Sequence, residues 1–228
     1  MNIVVIIPAF NEENAVGKVV SEIPKQLVSE VIVVNNNSTD QTSKAALAES
    51  ATVLFEPTKG YGMACLKGMD YLANTRKEPT DVVVFLDADY SDYPEQMIEM
   101  VKPIQENQAD LVIGSRALGK REGGSMTIPQ VFGNWLATSL MHWFYGHKFT
   151  DLGPFRAIRY SSLLALDMQD KTYGWTVEMQ VKALKQKLRC EEMPVDYRNR
   201  IGFSKISGTV KGTILAGYKI ITTIFKYL

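Results

Sequence analysis

The chain has 228 residues, 46% of them hydrophobic, with 25 basic and 25 acidic side chains and a formal net charge of zero. A chain without net charge lacks the broad field that nucleic-acid binding needs, so that class of partner is set aside. At this length one α/β domain buries roughly 70–75% of the surface its unfolded chain exposes, so neither disulfides nor a structural metal is required. Cys65 and Cys190 share no redox or metal spacing and read as reduced core thiols, and His142 and His147 are too few for a zinc site. Residues 2–10 are apolar but lack the basic leader and cleavage site of a signal peptide, and no run of 18 apolar residues occurs. The expectation is a cytoplasmic protein.

The first hundred residues alternate strand and helix. Residues 2–7 read as a strand, followed by a turn at 8–13 and a helix through about 24. A second strand is expected over 30–35, a helix capped from Asn36–Asp40 over 41–49, and a short strand at 51–55. Lys59-Gly60-Tyr61-Gly62 leads into a helix over 62–74; strands at 81–87 and 110–114 flank a helix that follows Pro94. Such alternation predicts a doubly wound parallel sheet whose ligands bind beyond the carboxyl ends of the strands. The loops at 8–13, 35–40, 87–92 and 115–116 then share one edge. Residues 117–128 are rich in glycine and charge and read as a mobile loop, with a helix over 131–146 after it. Two further helical segments, a strand near 192–197 and an amphipathic helix over 208–228 complete one domain, 1–228.

Val82-Val83-Val84-Phe85-Leu86-Asp87-Ala88-Asp89 is a buried-strand run ending in two carboxylates one residue apart. Strand alternation would send both to one side, where two like charges are costly unless a cation sits between them. Mg²⁺ or Mn²⁺ suits the pair and keeps coordination positions for substrate phosphates. An acidic, solvated loop is the plain alternative.

Ile7-Pro8-Ala9-Phe10-Asn11-Glu12, Asn36-Asn37-Ser38-Thr39-Asp40-Gln41-Thr42, Lys59-Gly60-Tyr61-Gly62, Asp87-Ala88-Asp89 and Gly114-Ser115-Arg116 occur in order. Thr150-Asp151-Leu152-Gly153-Pro154-Phe155-Arg156 and Gly202-Phe203-Ser204-Lys205-Ile206-Ser207-Gly208-Thr209 follow. With these motifs the chain resembles the family 2 inverting glycosyltransferases of GT-A fold, in the dolichol-phosphate mannose synthase-like branch, from residue 3 to about 220. The resemblance implies an α/β, Rossmann-like GT-A fold, a mostly parallel sheet with helices on both faces. It implies a hexosyltransferase using a UDP- or GDP-hexose, with Mg²⁺ or Mn²⁺ held by Asp87 and Asp89, and Asp89 as the preferred direct ligand. Donor contacts are expected from Pro8, Ala9, Asn11, Glu12, Asn36, Asp40, Lys59, Gly60 and Ala88, with Arg200, Ser204 and Lys205 over the diphosphate. Asp40 serves equally as a helix cap, Lys59-Gly60 as a plain turn, and the segment around Ser204 as a polar loop before a helix.

Arg116 and Arg156 are candidate holders of the acceptor, because guanidinium matches phosphate in a bidentate way. The acceptor implied is a polyprenyl phosphate at the inner membrane face, whose phosphate is already a nucleophile. A hydroxyl acceptor would need a general base, for which Asp151 and Glu178 are the candidates. Arg156 has a second reading, as the salt-bridge partner of Asp151 or Glu178.

Three departures bear on the substrates. Asn35, Asn36 and Asn37 stand where relatives carry aspartate, which leaves donor identity open and makes a non-catalytic nucleotide-sugar-binding protein a rival. Pro129-Gln130-Val131-Phe132-Gly133-Asn134 offers no second arginine after the loop, and Gly-Phe-Arg appears as Gly153-Pro154-Phe155-Arg156. Near the C-terminus, Val210, Ile214, Tyr218, Ile221, Phe225 and Leu228 recur at helical spacing among Lys211, Lys219 and Lys226. That stripe suits packing on its own domain or a second subunit, and alternatively a peripheral membrane contact.

Overall fold

The computed structural model describes residues 1–202 and 210–228. Seven strands form one sheet: β1 (Ile3–Ala9), β2 (Glu30–Asn35), β3 (Thr52–Phe55), β4 (Val82–Phe85), β5 (Leu111–Ser115), β6 (Arg156–Arg159) and β7 (Cys190–Pro194). Their spatial order is β3-β2-β1-β4-β6-β5-β7. β6 runs antiparallel between β4 and β5, and every other neighbouring pair is parallel.

The sheet has two cores because its central strands are apolar at every position. Along β1 and β4, Val4, Ile6, Val83 and Phe85 face one side, and Ile3, Val5, Ile7, Val82 and Val84 face the other. That is the period-2 alternation of strands covered on both faces. The second side packs under α1 (Val16–Glu22), α2 (Thr42–Ala48) and α4 (Met97–Gln105). The first packs under α3 (Tyr61–Asn74), α5 (Ile128–Tyr145), α6 (Tyr160–Ala165), α7 (Trp175–Lys185) and α8 (Val210–Lys226).

Three elements differ from the sequence reading. β6 was not expected, since Arg-Ala-Ile-Arg carries no apolar run; its place between two buried strands is set by tertiary pairing. α5 starts at Ile128 rather than 131 because Thr127 and Gln130 form a capping box, each side chain accepting the other's backbone N–H. β4 stops at Phe85, so Asp87 and Asp89 lie past the strand and alternation does not place them.

The carboxyl ends of β1, β2, β4 and β5 bring the loops at 8–13, 36–41, 86–93 and 115–127 to one edge, as expected. The glycine- and charge-rich loop lies against the segment after β7: Tyr197 N donates to Lys120 O (2.8 Å), Glu122 N to Tyr197 O (2.9 Å), and Lys120 N to Asp196 Oδ1 (2.9 Å). α8 packs on α5 and α7. Among the described residues no helix is long and apolar enough to cross a membrane.

Candidate active site

After β4 the chain turns twice, with Tyr90 in the left-handed region at φ 68°. The turn is held from inside: Asp89 Oδ1 accepts from Ser91 N (2.9 Å) and from the Ser91 hydroxyl. Asp89 Oδ2 faces Arg200 Nη1 at 3.1 Å, and Arg200 Nη2 reaches Glu12 Oε1 at 3.0 Å. Arg200 thus ties the loop after β1 to the loop after β4. Asp87 Oδ1 is buried without a hydrogen-bond partner. Its carboxyl is pushed up to about 7, by burial first and then by the Asp89 charge.

An orphaned carboxylate oxygen beside a second carboxylate is what a hard divalent cation satisfies, so Asp87 and Asp89 fit such an ion. No three His, Cys, Asp or Glu side chains converge among the described residues, so these two would leave the remaining positions to phosphate oxygens or water.

A cavity of about 270 Å³ opens on one side of the pair. Pro8, Ala9, Glu12, Asn36, Lys59, Gly60, Asp87, Ala88, Asp89 and Arg200 all line it, which brings together ten of the expected donor residues. Two expected residues lie outside it and are spent on the loops. Asn11 Oδ1 accepts from Thr39 N (2.8 Å), and the Asp40 carboxylate accepts from Thr42 N (3.0 Å), the Thr42 hydroxyl and Glu13 N (3.2 Å). Asp40 therefore stands one residue before the Gln41 N-cap of α2 and satisfies the backbone N–H of the first helical residue, Thr42.

Asn36 lines the cavity, but its amide is engaged. Its nitrogen donates to Thr58 O (2.7 Å) and Glu56 O (3.3 Å), and its oxygen accepts from Gly60 N (2.7 Å). Asn35 likewise donates to Ser43 Oγ and accepts from Ser38 N (2.8 Å), and Asn37 donates to Pro57 O (3.1 Å). The asparagines that left donor identity open are thus braces that fix the loop after β2 to the loop after β3 and to the start of α2.

Lys59 Nζ stands 4.5 Å from the Phe10 ring centroid. The glycines beside it answer a close approach of backbone to backbone. A Cβ on Gly60 would sit 2.1 Å from Lys171 O, and one on Gly62 would sit 1.9 Å from Asp170 O.

A second cavity, about 290 Å³, shares Tyr61, Asp87, Asp89, Tyr173 and Arg200 with the first and runs out between α5 and α8. Arg116 lines it, held by Asp151 through three bonds: N to Oδ2 (2.8 Å), Nε to Oδ2 (2.8 Å) and Nη2 to Oδ1 (2.7 Å). The Arg116 guanidinium also lies 5.1 Å from the Tyr197 ring centroid. Asp151 is 1% exposed, and its backbone N donates to Glu192 Oε1 (3.0 Å).

This geometry corrects three expectations. Asp151 pairs with Arg116 rather than with Arg156, and with both oxygens engaged and solvent excluded it is not placed as a general base. Arg156 is fully buried and donates to the carbonyls of Leu152, Gly153 and Thr176, so it braces the turn before β6 and lines neither cavity. Burial pushes that guanidinium down to about 10. Glu178 is also fully buried; it accepts from Gln169 N (3.1 Å), Asp170 N (2.6 Å) and the Tyr227 hydroxyl (2.6 Å), with Lys182 Nζ at 2.8 Å. It ties α7 to the loop before it and to the end of α8, away from either cavity.

The sequence reading missed Asp92, Tyr61 and Tyr173. Asp92 is buried with both carboxylate oxygens unpartnered, and burial followed by the charges of Asp87 and Asp89 pushes its carboxyl well above the usual range. Tyr61 and Tyr173 line both cavities, and the place of Tyr61 between two glycines in Lys59-Gly60-Tyr61-Gly62 was the available signal for it. Ser204 and Lys205 lie outside the described residues.

The Glycosyl transferase family 2 model matches residues 4–166. The chain is 34% identical over 226 residues to an uncharacterized glycosyltransferase of Mycobacterium tuberculosis, covering 94% of each chain. It is 31% identical to the undecaprenyl-phosphate mannosyltransferase of Micrococcus luteus, covering 93% of this chain and 90% of that one. Among solved structures it is similar to glucosyl-3-phosphoglycerate synthase from Mycobacterium tuberculosis in complex with Mn²⁺, UDP and phosphoglyceric acid. That likeness has a TM-score of 0.78 at 21% identity, covers 99% of this chain and 78% of the other, and agrees with the GT-A arrangement of the sheet. Family model, relatives and fold converge: the chain belongs to glycosyl transferase family 2 and is a nucleotide-sugar-dependent glycosyltransferase.

Proposed function

We propose that this enzyme moves a hexose from a nucleotide-diphosphate sugar onto the phosphate of a polyprenyl phosphate, with inversion, in the manner of the dolichol-phosphate mannose synthase-like branch. The observation that carries this reading is the slot between α5 and α8. It begins at Asp87, Asp89 and Arg116 and continues past Gly133, Leu152, Ala216, Gly217 and Ile220. A charged mouth with an apolar throat suits a phosphate on a hydrocarbon chain. The undecaprenyl-phosphate mannosyltransferase of Micrococcus luteus supports the same class of acceptor.

In this reading a phosphate oxygen of the acceptor attacks the anomeric carbon, the bond from that carbon to the donor diphosphate breaks, and the nucleoside diphosphate leaves. The phosphate brings its own lone pair, which accords with Asp151 and Glu178 being committed elsewhere. Arg116 would meet the acceptor phosphate through Nη1, the guanidinium nitrogen that none of its bonds to Asp151 uses. Asp87 and Asp89 would hold Mg²⁺ or Mn²⁺, which supplies positive charge to the departing diphosphate. Arg200 stands beside Asp89 to do the same, with Ser204 and Lys205 following on sequence grounds. The site of action would be the cytoplasmic face of a membrane.

Thermal-shift measurements with UDP, GDP and their glucose and mannose conjugates, each with and without Mn²⁺, test the donor half. One nucleotide series should stabilise the protein only with metal, and Asp89→Ala should abolish that shift. With that donor, radiolabelled sugar should pass to undecaprenyl phosphate and not to undecaprenol. Transfer to the alcohol at a comparable rate would overturn the phosphate acceptor, and absence of any nucleotide shift would overturn the donor site.

A further inference from the structure

Along α5, Val131, Trp135, Thr138 and His142 recur at three- and four-residue steps and line a cavity of about 390 Å³ on a flank other than the slot. Asn134 stands between the two. Its nitrogen donates to Thr150 O (2.9 Å) and its oxygen accepts from Leu152 N (2.8 Å), so the wall is braced at Asn134, while Met126 lines both cavities.

The chemistry of this cavity is one-sided. Arg121, Lys148 and His142 line it, and the single carboxylate in its lining, Asp151, is taken by Arg116. Among the described residues no carboxylate lies within ion-pair distance of Arg121 or Lys148, and the Arg121 guanidinium meets Met126 Sδ at 3.6 Å. Arg121 and Lys148 are exposed side chains that line the same cavity as Ser139, which leaves both charges available to an anion there.

The other half of the ligand is written on the next turns. A hollow lined by Met126, Ile128, Val131, Phe132 and Trp135 opens alongside and shares Met126, Val131 and Trp135 with the cationic cavity. Ile128 is 86% exposed and Trp143 80%, and the Phe132 and Trp135 rings stand 5.7 Å apart in the open. A contiguous exposed apolar surface marks an interaction site, and tryptophans interleaved with cations are the composition of a membrane–water boundary.

From this juxtaposition we infer that the cavity on α5 is a phosphate site for the headgroup of an anionic bilayer phospholipid, with Ile128, Phe132 and Trp135 entering the acyl boundary beside it. Its occupant is a lipid of the bilayer rather than the sugar acceptor, and the inference stands whether or not the acceptor is a polyprenyl phosphate.

Flotation of the full chain with vesicles of phosphatidylcholine, alone or with 30% phosphatidylglycerol, tests it. Each basic side chain near an anionic surface is worth about fivefold in affinity, so Arg121→Gln/Lys148→Gln should weaken binding to the mixed vesicles about 25-fold at 0.1 M salt. Binding to the neutral vesicles should change little, and Arg121→Lys/Lys148→Arg should retain the wild-type affinity. Phe132→Ser should weaken binding to both. The melting temperature and the metal–nucleotide shift of the double variant should match wild type, which separates this result from any failure of the donor site. Equal affinity for the two vesicle types, or mixed-vesicle binding indifferent to the double variant, would overturn the inference. Inorganic phosphate that stabilises the wild type but not the double variant, with no vesicle binding by either, would assign the cavity to a soluble phosphate and overturn the lipid.

Discussion

Replacing Asp151 with asparagine separates a clamp from a catalytic base. Asp151 is 1% exposed, and three donors of Arg116 converge on it at 2.7–2.8 Å. Burial opposes the charge on Arg116, and the Asp151 carboxylate more than offsets that, raising the guanidinium pKa above its ordinary value. Breaking a buried pair costs about 3–5 kcal/mol because the surviving charge is left uncompensated. The amide retains one acceptor, so Asp151→Asn should lose about 3 kcal/mol, the lower end of that range. Urea denaturation at pH 7 measures this directly. With Arg116 loosened, the KM for acceptor should rise while the metal–nucleotide thermal shift stays as in wild type. A general base behaves differently: its loss costs roughly 10²–10⁴ in rate and little stability. A variant within about 1 kcal/mol of wild type but slowed a hundredfold in kcat, with acceptor KM unchanged, would refute the clamp.

Glu178→Gln probes the second rejected base. It should destabilise by about 2 kcal/mol, since a buried acceptor of several bonds loses its charge, and transfer per folded molecule should persist; a folded but inactive variant would contradict the assignment. Gly62→Ala puts a methyl 1.9 Å from Asp170 O, so a loss of about 1–3 kcal/mol and a weaker nucleotide shift are expected, whereas Gly123→Ala, with nothing within 4 Å, should melt within a degree or two of wild type. Asp110 is held down to about 2 chiefly by the hydrogen bonds of Arg189. Its folded pKa lies below the unfolded value near 3.8, so its contribution is present above that pH and is lost as pH falls toward 2. The stability gap between wild type and Asp110→Asn should be flat above pH 5, close between pH 4 and 2, and stay below about 1 kcal/mol at this exposure. A gap that widens on acidification would reverse the sign.

The apolar runs at 3–7, 31–34 and 82–86 determined by themselves that this chain builds a buried parallel sheet, because a strand apolar at every position has to be covered on both faces. The carboxylate pair that ends the third run and the loops that share its edge were legible from strand direction, whereas the ten expected donor residues that line the cavity there were named by the resemblance to the family. What each polar side chain does was decided only by tertiary structure. Arg116 and Asp151 lie 35 residues apart in sequence and meet because β5 and the turn before β6 converge. Arg156 looked like an anion holder until the antiparallel β6 buried it among carbonyls, and Glu178 looked like a base until α8 and the loop before α7 closed over it. Asn36 reads the same in the sequence whether it faces a nucleotide or braces Thr58 and Gly60. A hydrophobic residue's fate follows from its period along the chain, whereas a polar residue's follows from which partner arrives within about 3 Å, and that partner comes from elsewhere in the fold.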